Sequence, residues 1–270
     1  MRLDLYLAEN GLAKSRSFAR VLVDGGYVTV NGTVATKPSA QIGEGDTVRV
    51  TGSPYEYVSR GGVKLAAALD EFRIDPSGLT LVDIGASSGG FTDCLLKRGA
   101  IAVYAVDSGT DQLDPVLRKD TRVVSIERFN ARELTPETIG GVCDGAVCDV
   151  SFISQTLIIP AAARVIRDGG FYICLIKPQF ECGRAALSKK GVVHDSRHRF
   201  EAVQKVRSAA VRSGLIPAGL MQSPVEGGDG NREFLMIAYK GGKADLDDGT
   251  VERICLDSPA LKPLKQQTMP

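Results

Sequence analysis

The 270-residue chain has no tryptophan, only two histidines and no pair of cysteines at C-x-x-C spacing. His194 and His198 lie four residues apart with no third ligand near them, so a zinc site is not expected and no metal is assigned. The six cysteines (Cys94, Cys143, Cys148, Cys174, Cys182 and Cys255) show no sign of a secreted context and read as reduced, mostly buried thiols rather than a disulfide framework. The opening MRLDLYLAENGLAKS has neither an apolar h-region nor a small-residue cleavage site, and no apolar run approaches the roughly 18 residues that span a bilayer. The expected location is therefore the cytosol, with no membrane partner. A formal net charge of +1 excludes a uniformly basic coat. Charge is nonetheless clustered: from Lys177 to Arg212 there are nine Lys or Arg against three acids. What is present, 43% hydrophobic and 24% charged residues, is the composition of an ordinary globular protein long enough for two domains.

Residues 1–52 read as a complete small α+β module. Leu3, Leu5 and Leu7 start an apolar helical stripe that runs through Leu12, and Ser15 or Ser17 can cap a second helix whose Phe18, Val21 and Leu22 face a core. Gly25-Gly26 ends that helix. YVTVNGTVA then alternates apolar and polar residues on both sides of Asn31-Gly32, a strong hairpin signal, and TVRV supplies a third strand. Lys14, Arg16 and Arg20 crowd the start of the second helix, with Arg16 and Arg20 on one face at i, i+4. Like charges so placed repel by roughly 0.2–0.5 kcal/mol, which points to a polyanionic partner. The helix, the basic K-S-R-x-x-x-R start, the glycine turn and the V-x-V-N-G hairpin together resemble the small RNA-binding domain named after the fourth protein of the small ribosomal subunit. That resemblance implies phosphate contacts from Arg2, Lys14, Arg16, Arg20 and Lys37, supplying affinity and orientation more than sequence reading.

A different period begins at Leu79. LTLVDIGASSGGFTDCLLKRGA reads as a buried strand, a glycine-rich turn and a helix with Phe91, Cys94 and Leu95 on its apolar face. IAVYAVD, TRVVSIE, DGAVCDVSF and FYICLIKP add strands, and TLIIPAAARVIRDGG a helix, a βαβ series that predicts a doubly wound parallel sheet. Ligands in such sheets bind at the carboxyl ends of the strands. The D-x-G-x-x-x-G run at Asp83, Gly85 and Gly89 is neither G-x-G-x-x-G nor a P-loop, which disfavours a dinucleotide or a triphosphate. Asp107 closes the next strand, where an acid can accept both ribose hydroxyls of an adenosine cofactor; a carboxylate there repels a pyrophosphate and suits a positive sulfonium. The pattern resembles the S-adenosylmethionine-dependent methyltransferase fold, with Gly85 and Gly89 letting the backbone approach the ligand and Asn130 a candidate for the adenine edge.

Four further residues fall at one rim. Lys64 lies on a helix before the first strand of the sheet, in VSRGGVKL; Asp149 ends a strand in AVCDVSF; Lys177 ends the next in LIKPQFE; Glu233 begins a late strand in NREFLMIAY. Pro178 stops its ladder and leaves Lys177 aimed into the crevice. A ribose hydroxyl is a poor nucleophile that needs its proton removed or its oxyanion stabilised, in line with the sulfonium. A lysine beside a second cation and near carboxylates can supply that help. The chain order Lys-Asp-Lys-Glu resembles the catalytic tetrad of the FtsJ-like ribose 2′-O-methyltransferases, whose domain opens with S-R-x-x-x-K-L as Ser59, Arg60, Lys64 and Leu65 do here. The resemblance implies that Lys177 activates the hydroxyl, Asp149 orients Lys177, and Lys64 and Glu233 position the group.

Taken together, S-R-G-G-x-K-L, D-I-G-A-S-x-G-G-F-T-D, C-D-V-S-F-I-S and K-P-Q-F-E are similar to the TlyA family over residues 1 to about 240. The architecture so implied is a small α+β RNA-binding domain (1–52), a linker (53–59), a Rossmann-like S-adenosylmethionine-dependent methyltransferase domain at 60–240, doubly wound and mostly parallel with an antiparallel late strand, and a loosely packed tail (241–270). The implied reaction is methyl transfer from S-adenosylmethionine to the ribose 2′-hydroxyl of cytidine in ribosomal RNA, with that RNA or assembled ribosomal subunits as partner. Cofactor contacts are expected at Asp83, Gly85, Ser87, Gly89, Gly90, Phe91, Asp107, Asn130 and Asp149. Further RNA contacts are expected at Arg60, Arg184, Lys189 and Lys190, the last three in a basic stretch (ECGRAALSKKGVVHDSRHRF) read as a mobile loop beside the substrate, within which His194 and His198 are expected to share a helix face at i, i+4. Where some members carry tryptophan in the linker, this chain has SPYEYV, with Tyr57 as the substitute.

Other readings stay open on sequence alone. An RNA-binding protein with an inactive methyltransferase fold would carry the same motifs. A pseudouridine synthase shares the first module but needs an R-L-D aspartate in a mixed antiparallel sheet, and the triplet occurs only at Arg2-Leu3-Asp4. A cytosine carbon-five methyltransferase needs Pro-Cys, which is absent. A membrane-lytic haemolysin would need a spanning or long cationic amphipathic helix.

Overall fold

Asn31 and Gly32 both take positive φ, 51° and 80°, as a type I′ turn requires, and join β1 (Val28–Val30) to β2 (Thr33–Val34). β3 (Val48–Val50) pairs antiparallel on the other edge of β1, giving the order β2-β1-β3. This is a computed structural model that describes residues 1–227, 230–242 and 246–256, and the chain divides into two units, 1–56 and 57–270. In the first unit α1 (Leu3–Glu9) and α2 (Arg16–Asp24) bury Leu3, Leu7, Ala19, Leu22 and Val23 with Val28 and Ile42. Ser15 caps α2 by accepting the Phe18 N–H at 3.1 Å. Two expectations need correction. The apolar stripe of α1 stops short of Leu12, which is exposed because Gly11 turns the chain first. The buried face of α2 is Ala19, Leu22 and Val23, so Val21 points outward.

The second unit is a seven-stranded sheet in the order β6-β5-β4-β7-β8-β10-β9. β4 (Thr80–Ile84), β5 (Ala102–Val106), β6 (Val123–Ile126), β7 (Cys143–Cys148) and β8 (Ile166–Ile176) run parallel. β10 (Phe234–Lys240) is antiparallel to both β8 and β9 (Leu215–Gln222). Period-two alternation buries both faces: Tyr172, Cys174 and Ile176 of β8 enter one core, while Phe171, Ile173 and Leu175 enter the other. α3 (Arg60–Glu71) and α4 (Gly90–Lys97) cover the second face through Leu65, Leu69 and Leu95; α6 (Gln155–Val165) and α8 (Ser196–Arg212) cover the first through Ile158, Val203 and Val206. Between these lie the short α5 (Pro115–Arg118) and α7 (Pro178–Glu181).

Three local expectations change. α6 ends at Val165 and the chain enters β8 at once, so the helix does not reach the Gly169-Gly170 pair. α8 starts only after Asp195, which caps it by accepting the Arg197 N–H at 2.8 Å; His194 therefore lies outside the helix and shares no face with His198. The basic stretch is tied down, not a free loop: Val192 and Val193 are buried, and the buried Asn231 accepts the Val193 N–H at 3.0 Å and donates to the Gly191 carbonyl at 3.0 Å. The tail is also corrected in part. α9 (Asp248–Leu256) buries Val251 and Cys255 at i, i+4 spacing, Leu246 joins them in the core, and Asp248 pairs with Arg207 of α8. Residues 257–270 of that expected tail lie outside the described residues. Since Val251 is fully buried, Val251→Ala should cost about 1–3 kcal/mol, read as a lower urea midpoint of the whole protein; an unchanged midpoint would show that this helix does not pack.

Candidate active site

The site forms where β4 and β7 leave the sheet side by side. After β4 the backbone takes positive φ at Gly85 (83°), Ser87 (47°) and Gly89 (88°) before α4 begins. A Cβ on Gly85 would stand 2.7 Å from the Asp149 carbonyl oxygen and 2.9 Å from Val150 Cγ1, so only glycine lets the two strand exits come this close. Asp107, at the end of β5, accepts the Ser87 N–H on Oδ2 at 2.8 Å and the Gly109 N–H on Oδ1 at 2.7 Å, which fixes its carboxylate at the mouth.

Two cavities open at this rim. The larger, about 360 Å³, is lined by Gly85, Ser87, Asp107, Gln112, Phe129, Asn130, Asp149 and the loop to Ile153. A smaller one of about 170 Å³ shares Gly85, Ser87, Asp149 and Ser151 with it and adds Ser59, Gly90, Phe91 and Lys177. The larger cavity is lined by two carboxylates and, among the described residues, by no lysine or arginine. That lining disfavours phosphates and suits a ligand bearing positive charge. The cationic sulfonium of S-adenosylmethionine fits this acidic lining. Asn130 lines the cavity with its amide already engaged: Oδ1 accepts the Arg132 N–H at 3.3 Å and Arg132 Nε at 3.1 Å, and Nδ2 donates to Glu133 Oε1 at 2.9 Å.

Some expected cofactor contacts are placed elsewhere. Asp83 is fully buried and lines neither cavity; its Oδ2 accepts the Thr92 N–H at 2.9 Å and the Thr92 hydroxyl at 2.7 Å, anchoring the first turn of α4. Its Oδ1 is buried and has no hydrogen-bond partner among the described residues. Gly89 also lines neither cavity: a Cβ there would meet Leu117 Cδ1 at 2.3 Å, and one on Gly90 would meet Ser59 Oγ at 2.1 Å, so both glycines admit packing around α4.

The four rim residues come together as two ion pairs. Lys64 Nζ lies 2.5 Å from Glu233 Oε2, with the residues only 8% and 2% exposed. Lys177 Nζ lies 2.6 Å from Asp149 Oδ1, an ion pair off hydrogen-bond alignment, and donates to Ser151 Oγ at 2.8 Å. Gln179 Nε2 bridges toward the first pair by donating to Glu233 Oε1 at 3.3 Å. Each lysine thus has its own carboxylate. Lys177 and Asp149 face the smaller cavity; Lys64 and Glu233 line neither and stand behind.

Ser151, Gln179 and Phe152 were not among the expected residues. Phe152 is 90% exposed, takes φ 62°, and sets its ring 5.0 Å from that of Phe180. A large aromatic in the left-handed region costs strain, and here that strain holds a bare ring at the cavity mouth. The only sequence signal is its place just after the Asp149 strand end.

In the first unit, Asp4 is 0% exposed and gathers the basic residues: Arg2 Nε at 2.9 Å, Arg16 Nε at 3.1 Å and Arg20 Nε at 3.4 Å. The Arg2 guanidinium bonded to it holds the Asp4 carboxyl well below the usual carboxylate range. Repulsion between Arg16 and Arg20 is therefore offset by a buried counter-charge. Lys14 sits over the Phe18 ring at 5.1 Å. Lys37, Arg60, Arg184, Lys189 and Lys190 are exposed.

Burial, with Asp149 and Asp107 nearby, pushes the Asp83 carboxyl up to about 7. Its folded pKa lies above its unfolded one, so the fold binds an extra proton between the ordinary carboxylate range and about pH 7, and stability falls as pH rises through that window. Relative to Asp83→Asn, the wild-type urea midpoint should fall between pH 5 and pH 8, at roughly 1.4 kcal/mol per pH unit at most. A gap between the two proteins that does not change with pH would overturn this reading.

Comparison with known proteins agrees with the geometry. Residues 57–240 match the FtsJ-like methyltransferase family and residues 1–48 match the S4 domain. The chain is 42% identical to the 16S/23S rRNA (cytidine-2′-O)-methyltransferase TlyA of Mycobacterium tuberculosis, covering 87% of this chain and 88% of that one. It is 42% identical to Hemolysin A of Brachyspira hyodysenteriae, covering 87% and 98%. A solved structure from Streptococcus thermophilus, named "Putative hemolysin", superposes with TM-score 0.77 at 39% identity over 95% and 94% of the two chains. Among the described residues no helix is long and apolar enough to cross a membrane. With a cationic-ligand cavity, a Lys-Asp-Lys-Glu rim and these matches, the chain belongs to the FtsJ-like methyltransferase family, as a TlyA-type member that begins with an S4 domain.

Proposed function

We propose that this protein methylates a ribose 2′-hydroxyl of ribosomal RNA, at cytidine, on assembled subunits in the cytoplasm. The observation that carries the reading is the Lys177–Asp149 pair at 2.6 Å, set where the two cavities meet. When bound, S-adenosylmethionine supplies an electrophilic methyl group on a cationic sulfur. Asp107 holds the nucleoside end, and Asp149 serves both the cationic end and Lys177. Ser151 directs one Lys177 N–H and leaves the Nζ facing the small cavity, where it steadies the negative charge that develops on the hydroxyl oxygen as that oxygen takes the methyl group and its proton leaves to water. Lys64 and Glu233 form a buried pair that fixes the start of β10 and, through Gln179, the turn after Lys177. Arg2, Lys14, Arg16, Arg20 and Lys37 in the first unit, and Arg60, Arg184, Lys189 and Lys190 in the second, supply phosphate contacts.

The pseudouridine synthase reading loses its nucleophile, because Asp4 of the Arg2-Leu3-Asp4 triplet is buried under arginines. Its mixed antiparallel sheet is not the sheet found here either.

Purified protein incubated with unmodified ribosomal subunits and radiolabelled S-adenosylmethionine should place label in 2′-O-methylcytidine. Lys177→Ala should reduce transfer by about 10²-fold or more while leaving cofactor affinity intact. Label on a base atom, or loss of cofactor binding in the variant, would overturn the assignment. Phe152 stands where a nucleobase can stack at the mouth, so Phe152→Ala should lower kcat/KM for RNA by roughly tenfold, with cofactor affinity unchanged in a calorimetric titration.

A further inference from the structure

We propose that Glu181 is the positioning residue that fixes Asp149 against Lys177, by tying the chain leaving β7 to the chain leaving β8. The inference rests on the function proposed above for that pair.

Glu181 is 5% exposed and ends α7, one helical turn beyond Lys177. Its two oxygens go to two donors across the rim. Oε1 accepts the Gln155 N–H at 2.7 Å, and Oε2 accepts the Ser154 hydroxyl at 2.5 Å. Ser154 and Gln155 open α6 five residues beyond Asp149, so one carboxylate closes the start of α6 onto the end of α7. Gln155 extends the tie into the sheet: its Nε2 donates to the Leu175 carbonyl at 3.1 Å and its Oε1 accepts the Tyr172 hydroxyl at 2.8 Å, both partners lying on β8.

The chain paths to the pair are short on one side and weak on the other. From Lys177 to Glu181 the backbone is a single turn entered through Pro178, whose fixed φ transmits any displacement of Glu181 to Lys177. From Asp149 to Ser154 there is no helix or strand, and Phe152 sits in the left-handed region. The Asp149 N–H is held by Ile84 on β4, away from β8. The Lys177–Ser151 hydrogen bond runs through the flexible lysine side chain, and the Glu181 bridge adds a second tie from this loop to the chain leaving β8, anchored on backbone and a short side chain. The charge environment fits a geometric role. Lys205 Nζ is 3.9 Å from Oε2 and donates instead to the Glu181 carbonyl at 2.8 Å, and burial pushes the Glu181 carboxyl up. Nothing in this arrangement reaches the cavities: Glu181 lines neither, and acts only through the pair it holds.

The test compares Glu181→Gln with Glu181→Ala. Glutamine keeps an acceptor for the Gln155 N–H and a polar partner for Ser154, whereas alanine removes both. Glu181→Gln should retain transfer within about threefold, and Glu181→Ala should lose about 10- to 100-fold in kcat, the range expected for displacement on the order of 1 Å, with the KM for RNA unchanged. Nitrogen-15 spectra of the Lys177 ammonium report the same geometry without any reaction: a sharp signal in wild type and Glu181→Gln, broadened in Glu181→Ala. A purely structural role would lower the melting temperature of Glu181→Ala while leaving kcat per folded molecule and the Lys177 signal as in wild type, and that result overturns the proposal. Should Glu181→Ala fail to fold, Ser154→Ala removes one of the two ties and should give a smaller kcat loss with the same split; no loss there overturns the inference. If wild type transfers no methyl to RNA, the proposed function fails while the ammonium spectra still judge the bridge.

Discussion

The backbone of Gly85 passes so close to Asp149 that a single methyl group would not fit between them. The rest of the site depends on this approach. β4 and β7 are neighbours in the sheet, yet the chain leaves them toward opposite faces, into α4 on one side and α6 on the other. Helices that part in this way leave a crevice at the carboxyl ends of the strands, which is where doubly wound sheets bind ligands. A side chain at position 85 would fill the floor of that crevice and push the Asp149 loop outward. The cavity, the Asp107 cradle and the Lys177 pair all presuppose that it is absent.

The site also separates its charges. Acids face the cofactor cavity, while each lysine of the rim is matched to one carboxylate and set behind or beside it. Asp83 adds a third acid to the glycine turn, but inside the protein, where burial keeps it protonated toward neutral pH. A fully ionised trio would crowd negative charge around one turn. The exposed cations lie on the surface of the two units, available to phosphates without competing for the cofactor.

Much of this architecture was legible because the hydrophobic period changes along the chain, from helical spacing to strands that end in Asp107, Asp149 and Lys177. Strand ends are where an α/β sheet places its chemistry, so the rim residues could be named in order. What could not be read came from contacts distant in sequence. The grouping of Arg2, Arg16 and Arg20 around Asp4 looks like unrelieved repulsion until the helices pack. Asp83 shares its strand face with Leu81, the side that α4 covers, and spacing alone did not tell a helix anchor from a ligand contact. α9 was missed because two apolar residues at i, i+4 in a polar stretch are a faint signal until Arg207 and the core receive them. Phe152 carries its message in a backbone angle, which no side-chain pattern records.

The buried position of Asp4 bears on how the first unit discriminates among anions. An unfolded segment with the same residues would offer three independent, mobile cations to any polyanion it met. In the folded unit those guanidinium groups are gathered around one internal counter-ion, so the net charge is that of the unfolded segment but the spacing of the cations is fixed. A phosphate array that matches the spacing meets cations already in place, whereas one that does not match can reach few of them at once. Such a patch would let the proposed enzyme sample a crowded ribonucleoprotein surface and detach quickly from the wrong places, so that dwell time, and not attraction, selects the address.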